Sequence, residues 1–390
     1  MIEECEKMIE ECEKTLVQSK RVASDGMIVV DCDVHVNDLP EFLAPHCEMP
    51  WRKSLEILGK TPRRYLDIPG YAPAFNQIPP IPGGHSTKSV NTPRAMRHEL
   101  DALGIDYGIL LPDHLLLFAT LPNIEYATAL SHAYNRWLVA EWIGEGSGLY
   151  GAIMACPQNP EDSAREIESY AGTPGICAVY LPTAGVDPLW GARRYDPILA
   201  AAEAADLPVI LHSVTVVSPV FPAQLHQFEN HWGRQVIGHV FSMMANLVSI
   251  MHTGVPVRYP KLKIVFTEAG VSWVPCAMWR MDRYHQEFRR TVPFLEERPS
   301  EYMRRQMWFA TQPLDEPVNP KHLVETMEHY GGADRTLFAS DWPHHDFDHP
   351  RGLAKLPLTQ EQRRKIMGEN ALSLFKFPMP KRLTKEVQPV

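Results

Sequence analysis

Residues 196–212 read DPILAAAEAADLPVILH. An Asp-Pro start followed by an alanine-rich run at helical spacing predicts a helix with proline in its first turn. The closing VILH is a short apolar run behind a proline, the pattern of a strand buried on both faces. A helix feeding such a strand at once is half of a βαβ unit. Working outward, the same alternation recurs. Strands are predicted at 27–33 (MIVVDCD), 107–111 (YGILL), 149–154 (LYGAIM), 177–181 (CAVYL), 209–212 (VILH), 264–267 (IVFT), 307–310 (MWFA) and 336–340 (TLFAS). Stretches of helical spacing lie between and after them, at 121–143, 160–170, 195–205, 226–252, 273–290, 320–329 and 359–375. Eight strands alternating with helices predict an α/β chain folded as a (β/α)8 barrel rather than an open doubly wound sheet. No GxGxxG follows a predicted strand and no GxxxxGKS or GxxxxGKT occurs, so a dinucleotide or P-loop protein has no support.

The chain has 390 residues, with Lys+Arg 38 against Asp+Glu 47 and a formal net charge of -9. That length alone suggests two domains, but barrels with insertions reach it too. One barrel over 27–376 is expected, between an acidic helical extension at 1–26 and a tail at 377–390. In the extension the heptad MIEECEK is written twice; its apolar stripe, with a second subunit as one place to pack, raises a homodimer. Hydrophobic residues at 45% and charged residues at 22% allow a sizeable core and exclude wholesale disorder. The acidic balance argues against a partner made of nucleic-acid phosphates. No run approaches the roughly 18 apolar residues of a membrane span. The N-terminus has no signal-peptide core, and the seven cysteines contain no CxxC pair, so a cytoplasmic protein with free thiols is expected. Two excursions interrupt the alternation. Residues 36–91 are rich in proline, hold Arg63 and Arg64, and suit a lid or pocket wall. Residues 215–235 hold His226, His231 and Trp232. Both fall at the strand C-termini, where barrel chemistry sits.

The 17 histidines raise the question of metal, and position selects among them. Strand one ends in Asp33-Val34-His35, strand five in His212, strand six in Glu268 and strand eight in Asp341. Asp33 and His35 are two apart, so both side chains point to one face of the strand, the lumen of a barrel. Two imidazoles and two carboxylates suit one divalent cation, zinc first and manganese as the alternative.

In these blocks the chain resembles the amidohydrolase superfamily, and more closely the branch that includes aminocarboxymuconate-semialdehyde decarboxylase and its hydrolase relatives. The resemblance rests on DCDVHV at 31–36, LPVILHS at 207–213, YPKLKIVFTEAGVSWVPCAMWRMD at 259–282 and LFASDWPHHDFDHP at 337–350. It implies a distorted barrel with one metal at its C-terminal mouth, held by Asp33, His35, His212 and Asp341. It also implies a dimer. At strand six the decarboxylases of that branch resemble one another in carrying a histidine, where this chain has Glu268. The exchange favours hydrolysis over decarboxylation.

Metal-dependent hydrolysis of a small carboxylated or aromatic substrate is therefore the main expectation. Metal-activated water would attack, Glu268 or Asp341 would accept the proton, and His239 would act as a second acid or orienter. Glu268 is also a candidate fifth ligand. Arg63, Arg64 and Arg94 are candidate clamps for a substrate carboxylate, and His344 and Trp342 candidate substrate contacts. Trp232 and Trp273 share with Trp342 the choice between an apolar pocket wall and plain core packing. The alternative is nonoxidative decarboxylation of an aromatic or unsaturated acid, with His239, His344 or His345 replacing the absent histidine. A non-catalytic barrel stands as the third case, and four ligand-type positions argue against it.

Overall fold

The structure, a computed structural model, describes residues 26–60, 90–144, 146–213, 225, 227–228, 231–344, 346–380 and 383. Eight parallel strands pair in sequence order: β1 (Val30–Val36), β2 (Tyr107–Pro112), β3 (Leu149–Met154), β4 (Ile176–Pro182), β5 (Val209–His212), β6 (Ile264–Thr267), β7 (Met307–Ala310) and β8 (Thr336–Leu337). A parallel bridge between Val34 and Trp342 joins the segment after β8 to β1 and nearly closes the ring. This is the expected (β/α)8 barrel. Every β5 side chain is buried, as a parallel strand covered on both faces requires.

The surrounding helices include α1 (Trp51–Lys60), α2 (Pro93–Leu103), α3 (Ile124–Trp137), α4 (Pro160–Tyr170), α5 (Asp196–Ala204), α6 (His231–His252), α7 (Trp273–Glu287), α8 (Pro299–Gln306), α9 (Pro320–Glu328), α10 (Gln360–Arg364) and α11 (Asn370–Phe375). The unit that opened the sequence reading is α5 and β5. Pro197 sits in the first turn of α5; Asp206, at φ 51, turns the chain out of the helix, and the Leu207 N–H bonds back to the Ala202 carbonyl. Helices α1, α2 and α8 were not predicted. Part of the 36–91 excursion is thus helical, and α2 is built by local rules: Thr92 caps it by accepting the Ala95 N–H at 3.2 Å, and Gly104, at φ 76, ends it.

Strands β1 and β8 depart most from expectation. β1 spans Val30–Val36 instead of 27–33, which carries it past Asp33 to His35, because the lumen buries polar side chains there. β8 stops at Leu337, since the chain then leaves the regular ladder toward Asp341, which lies at φ 60. The heptads of residues 1–14, Arg63, Arg64, His226 and His345 lie outside the described residues. At the C-terminus Phe377 is buried and stacks on Tyr150 at 3.9 Å, fixing the start of the expected tail to the barrel.

Candidate metal centre

β1 carries Asp33 and His35 to the barrel mouth with both side chains buried. The His35 Nδ1 lies 2.6 Å from the Pro112 carbonyl at the end of β2. A carbonyl only accepts, so Nδ1 carries the hydrogen and Nε2, which holds a lone pair in the neutral ring, faces the lumen. Burial alone would push the ring down, but Asp33 and Asp341 push it well above its usual range and favour a proton on Nε2. Around Nε2 stand Asp33 Oδ1 at 3.2 Å and Asp341 Oδ1 at 2.9 Å. His212, from the end of β5, brings its Nε2 to 3.3 Å from Asp33 Oδ1. One donor atom from each of Asp33, His35, His212 and Asp341 lies within 4.8 Å of the others, and all four residues are buried.

The donor set fits a divalent cation on physical grounds. A lone pair aimed at two carboxylate oxygens is repulsive unless a proton or a cation stands between them. Among the described residues, the buried atoms Asp33 Oδ2, His35 Nε2, His212 Nδ1 and Glu268 Oε2 have no hydrogen-bond partner. Two imidazoles and two carboxylates are common ligands of zinc and manganese. Burial alone would push the Asp33 carboxyl up; the neighbouring His212 and His35 outweigh it and hold the group down, in the ionised form a metal needs.

Glu268 and Asp341 both occupy the left-handed region of backbone space, at φ 63 and φ 60. Non-glycine residues there carry strain of order 1–3 kcal/mol, which functional sites tolerate when the surroundings fix them. Glu268 does not join the four-donor group. Its Oε2 lies 3.2 Å from Nδ1 of His212, the ring nitrogen remote from Asp33, and its Oε1 lies 3.7 Å from Nδ1 of His239. Burial pushes the Glu268 carboxyl well above its usual range, and the Asp341 charge adds to this. His239 is buried on α6, and burial pushes it down to about 4.

His344 stands on the other side of Asp341. Its Nδ1 lies 2.6 Å from Asp341 Oδ1, its Nε2 lies 3.3 Å from Asp113 Oδ1, and its ring is 4.1 Å from that of His35. Burial alone would push His344 down; the Asp341 charge and the hydrogen bonds to Asp113 and Asp341 prevail and hold it at about 10. Glu268, Asp341 and His344 form a second group whose donor atoms lie within 4.8 Å of one another.

Other candidates fall elsewhere. Trp342 is buried, and its backbone carbonyl accepts the His35 N–H at 2.8 Å. Trp273 packs on Phe266 and Phe309 and donates to the Gly270 carbonyl, which makes it a core residue. Trp232 is exposed at the start of α6. Arg94 is exposed in the first turn of α2. The sequence reading passed over Asp113, which follows β2, and Gln312, which follows β7 and donates to Asp341 Oδ2 at 3.1 Å. Both stand just past strand ends, the signal that selected Asp33, His35, His212 and Asp341. Asp38 and Asp31 were not candidates either; Asp38 accepts three backbone N–H groups around Asp113, and Asp31 accepts the Asp33 and Ser340 N–H groups.

Residues 118–377, about two thirds of the chain, match the amidohydrolase family model. The chain belongs to the amidohydrolase family. This amidohydrolase is 25% identical over 253 residues to the gamma-resorcylate decarboxylase of Polaromonas sp. (strain JS666), covering 61% of this chain and 74% of that one. Among solved structures it is similar to an amidohydrolase from Mycobacterium avium subsp. paratuberculosis K-10, with 22% identity and a TM-score of 0.68 over 90% of this chain and 99% of the other. It is also similar to a dihydroxybenzoic acid decarboxylase from Polaromonas sp. JS666, solved with bound manganese and the inhibitor 2-nitroresorcinol. That match has 19% identity and a TM-score of 0.62, over 90% of this chain and 96% of the other. The decarboxylase alternative thereby gains support, whereas the hydrolase expectation gains none specific to it. No helix among the described residues is long and apolar enough to cross a membrane.

Proposed function

We propose that this amidohydrolase is a metal-dependent nonoxidative decarboxylase of a hydroxylated aromatic acid. The names of its relatives favour that chemistry, and one observation in the site carries it: His344 is held between Asp113 and Asp341, beside the four-donor group. Decarboxylation needs an acid beside the metal, and His344, within hydrogen-bond distance of Asp341, is the candidate. Hydrolysis would need a base to take a proton from the attacking water. Glu268, one of the two sequence candidates for that base beside Asp341, lies against the remote nitrogen of His212 and against His239.

Asp33, His35, His212 and Asp341 would hold the ion. Manganese is the proposed occupant and zinc its competitor; carboxylate oxygens suit the harder ion, and a structurally similar decarboxylase holds manganese. When bound, the ion supplies a positive charge that draws in the substrate carboxylate and its neighbouring oxygen. The Pro112 carbonyl fixes the His35 tautomer, and Glu268 stands 3.2 Å from the remote nitrogen of His212. His344 gives a proton from Nε2 to the ring carbon that bears the carboxylate. The bond to the carboxylate then breaks, its electron pair returns to the ring, and carbon dioxide leaves. Solvent re-protonates His344.

Purified protein loaded with manganese chloride and given 2,6-dihydroxybenzoate, the ligand of one structural relative, tests this by mass spectrometry of the product. Loss of carbon dioxide is expected, and His344→Asn lowers kcat by about 10²–10⁴-fold with manganese binding retained. A panel of hydroxylated aromatic acids that yields only water-added products, or His344→Asn with undiminished kcat, would refute the assignment.

A further inference from the structure

We propose that Asp31 is a positioning residue for the metal-ligating carboxylates, acting through Ser340. Asp31 lies on β1 with its side chain buried. Its Oδ1 accepts the Ser340 N–H at 2.8 Å and the Asp33 N–H at 3.1 Å, and its Oδ2 accepts the Ser340 hydroxyl at 2.5 Å. The Ser340 Oγ in turn accepts the Trp342 N–H at 3.0 Å. One carboxylate therefore fixes Asp33, the residue before Asp341 and, through a hydroxyl relay, the residue after it.

This matters because regular pairing stops short of the ligand. β8 ends at Leu337, and Asp341 lies beyond it at φ 60. The separation of Asp33 and Asp341 across the seam is set by a few contacts: the Asp341 N–H on the Asp33 carbonyl at 3.1 Å, the His35 N–H on the Trp342 carbonyl at 2.8 Å, and the Asp31 cluster. A buried carboxylate is a costly way to close a seam, since an apolar pair closes one without desolvating a charge. What the carboxylate adds is direction: several N–H and O–H groups converge on two oxygens and leave the flanking backbone one arrangement. Groups behind metal ligands commonly change affinity about 10–100-fold when removed.

The inference rests on the metal proposal above, and the test separates the two. Manganese chloride is titrated calorimetrically into wild type, Asp31→Ala, Asp31→Asn, Ser340→Ala and Tyr330→Phe, each also melted without metal. Tyr330→Phe is the control; it removes a buried hydroxyl pair with Thr336 at 2.9 Å, at the start of β8 and away from the ligands. The expected result is a manganese Kd raised about 10–100-fold in Asp31→Ala and several-fold in Ser340→Ala. Asp31→Asn, which keeps an oxygen for both N–H groups, recovers most of the affinity. The control melts lower yet keeps its Kd within about twofold of wild type. If Asp31→Ala fails to fold, Ser340→Ala carries the test, against wild type and the control. Wild-type affinity in Ser340→Ala, or equal loss in the control, overturns the role of Asp31. A wild type that takes up no divalent ion overturns the metal proposal, and this one with it.

Discussion

Replacing Asp38 by alanine removes the acceptor of three backbone N–H groups at once. Oδ1 takes the Asp113 N–H at 3.0 Å and the His114 N–H at 2.6 Å, while Oδ2 takes the Leu115 N–H at 2.9 Å. Asp38 is 1% exposed, so water does not replace the carboxylate without local rearrangement. A hydrogen bond to a charged acceptor contributes about 1.5–3 kcal/mol, and a buried donor left alone costs about 1–3 kcal/mol. The Asp113 contact is buried and the other two are partly so. Counting the first in full and the others at half gives a loss of about 3–6 kcal/mol. Urea unfolding of the metal-free chain reads this as a lower midpoint with an unchanged slope. The same change frees the backbone that carries Asp113, whose Oδ1 faces His344 Nε2 at 3.3 Å. kcat with an aromatic acid should therefore fall at least about tenfold. The manganese Kd should stay within about threefold, because Asp113 is not among the four donors. Asp38→Asn, which keeps an oxygen for two of the three donors, should lose about half as much stability. A loss below about 1 kcal/mol in Asp38→Ala, or an unchanged kcat beside a large loss, would refute the chain of contacts from Asp38 through Asp113 to His344.

Three further outcomes follow from the same contacts. Manganese at a hundred times its Kd should stabilise the chain by about 2.7 kcal/mol, read as a higher urea midpoint; no change would count against a folded-state site. Gly191→Ala should cost about 3 kcal/mol or more in urea unfolding, because a Cβ there would lie 2.1 Å from the Ser249 carbonyl oxygen, and backbone cannot step aside; a near-neutral result would contradict that packing. Burial pushes Asp348 up, to about 6, so above that pH its ionised form weakens the fold, and the penalty disappears as pH falls toward the ordinary carboxyl value. Asp348→Asn, whose oxygen still accepts the Leu314 N–H, should be up to about 3 kcal/mol more stable than wild type at pH 8, with no difference near pH 4; a pH-independent effect would exclude this cause.

Much of this site was legible in the chain because ligand-type residues at strand ends are a local signal. Asp33 and His35 share a face by strand alternation alone, and His212 ends a strand recognisable from its own apolar run. Asp113 and Gln312 carried the same signal and were passed over, since each is a single polar residue after an unremarkable strand. Glu268 shows the opposite limit. Its place at the end of β6 was readable, but its partner was not: whether a carboxylate there faces a metal, a substrate or the far side of an imidazole depends on the packing of α6 and on the strained turn after β6. The tryptophans divide for a similar reason. Trp273 and Trp232 have equal chemistry, yet one is packed against Phe266 and Phe309 and the other is exposed.

By itself the sequence determined the barrel and the set of residues able to bind a cation. The physical reason is that strand and helix periods, turn residues and buried apolar runs act over a few neighbouring positions. Tertiary structure alone decided the seam: Asp31 meets Ser340 across 309 positions of the chain, and that meeting sets Asp341 opposite Asp33. It also decided what surrounds two of the histidines. His344 and His239 look alike in sequence, but two carboxylates enclose the first, while burial leaves the second neutral beside Glu268. Such contacts join distant segments, and only the closed ring brings them within hydrogen-bond distance.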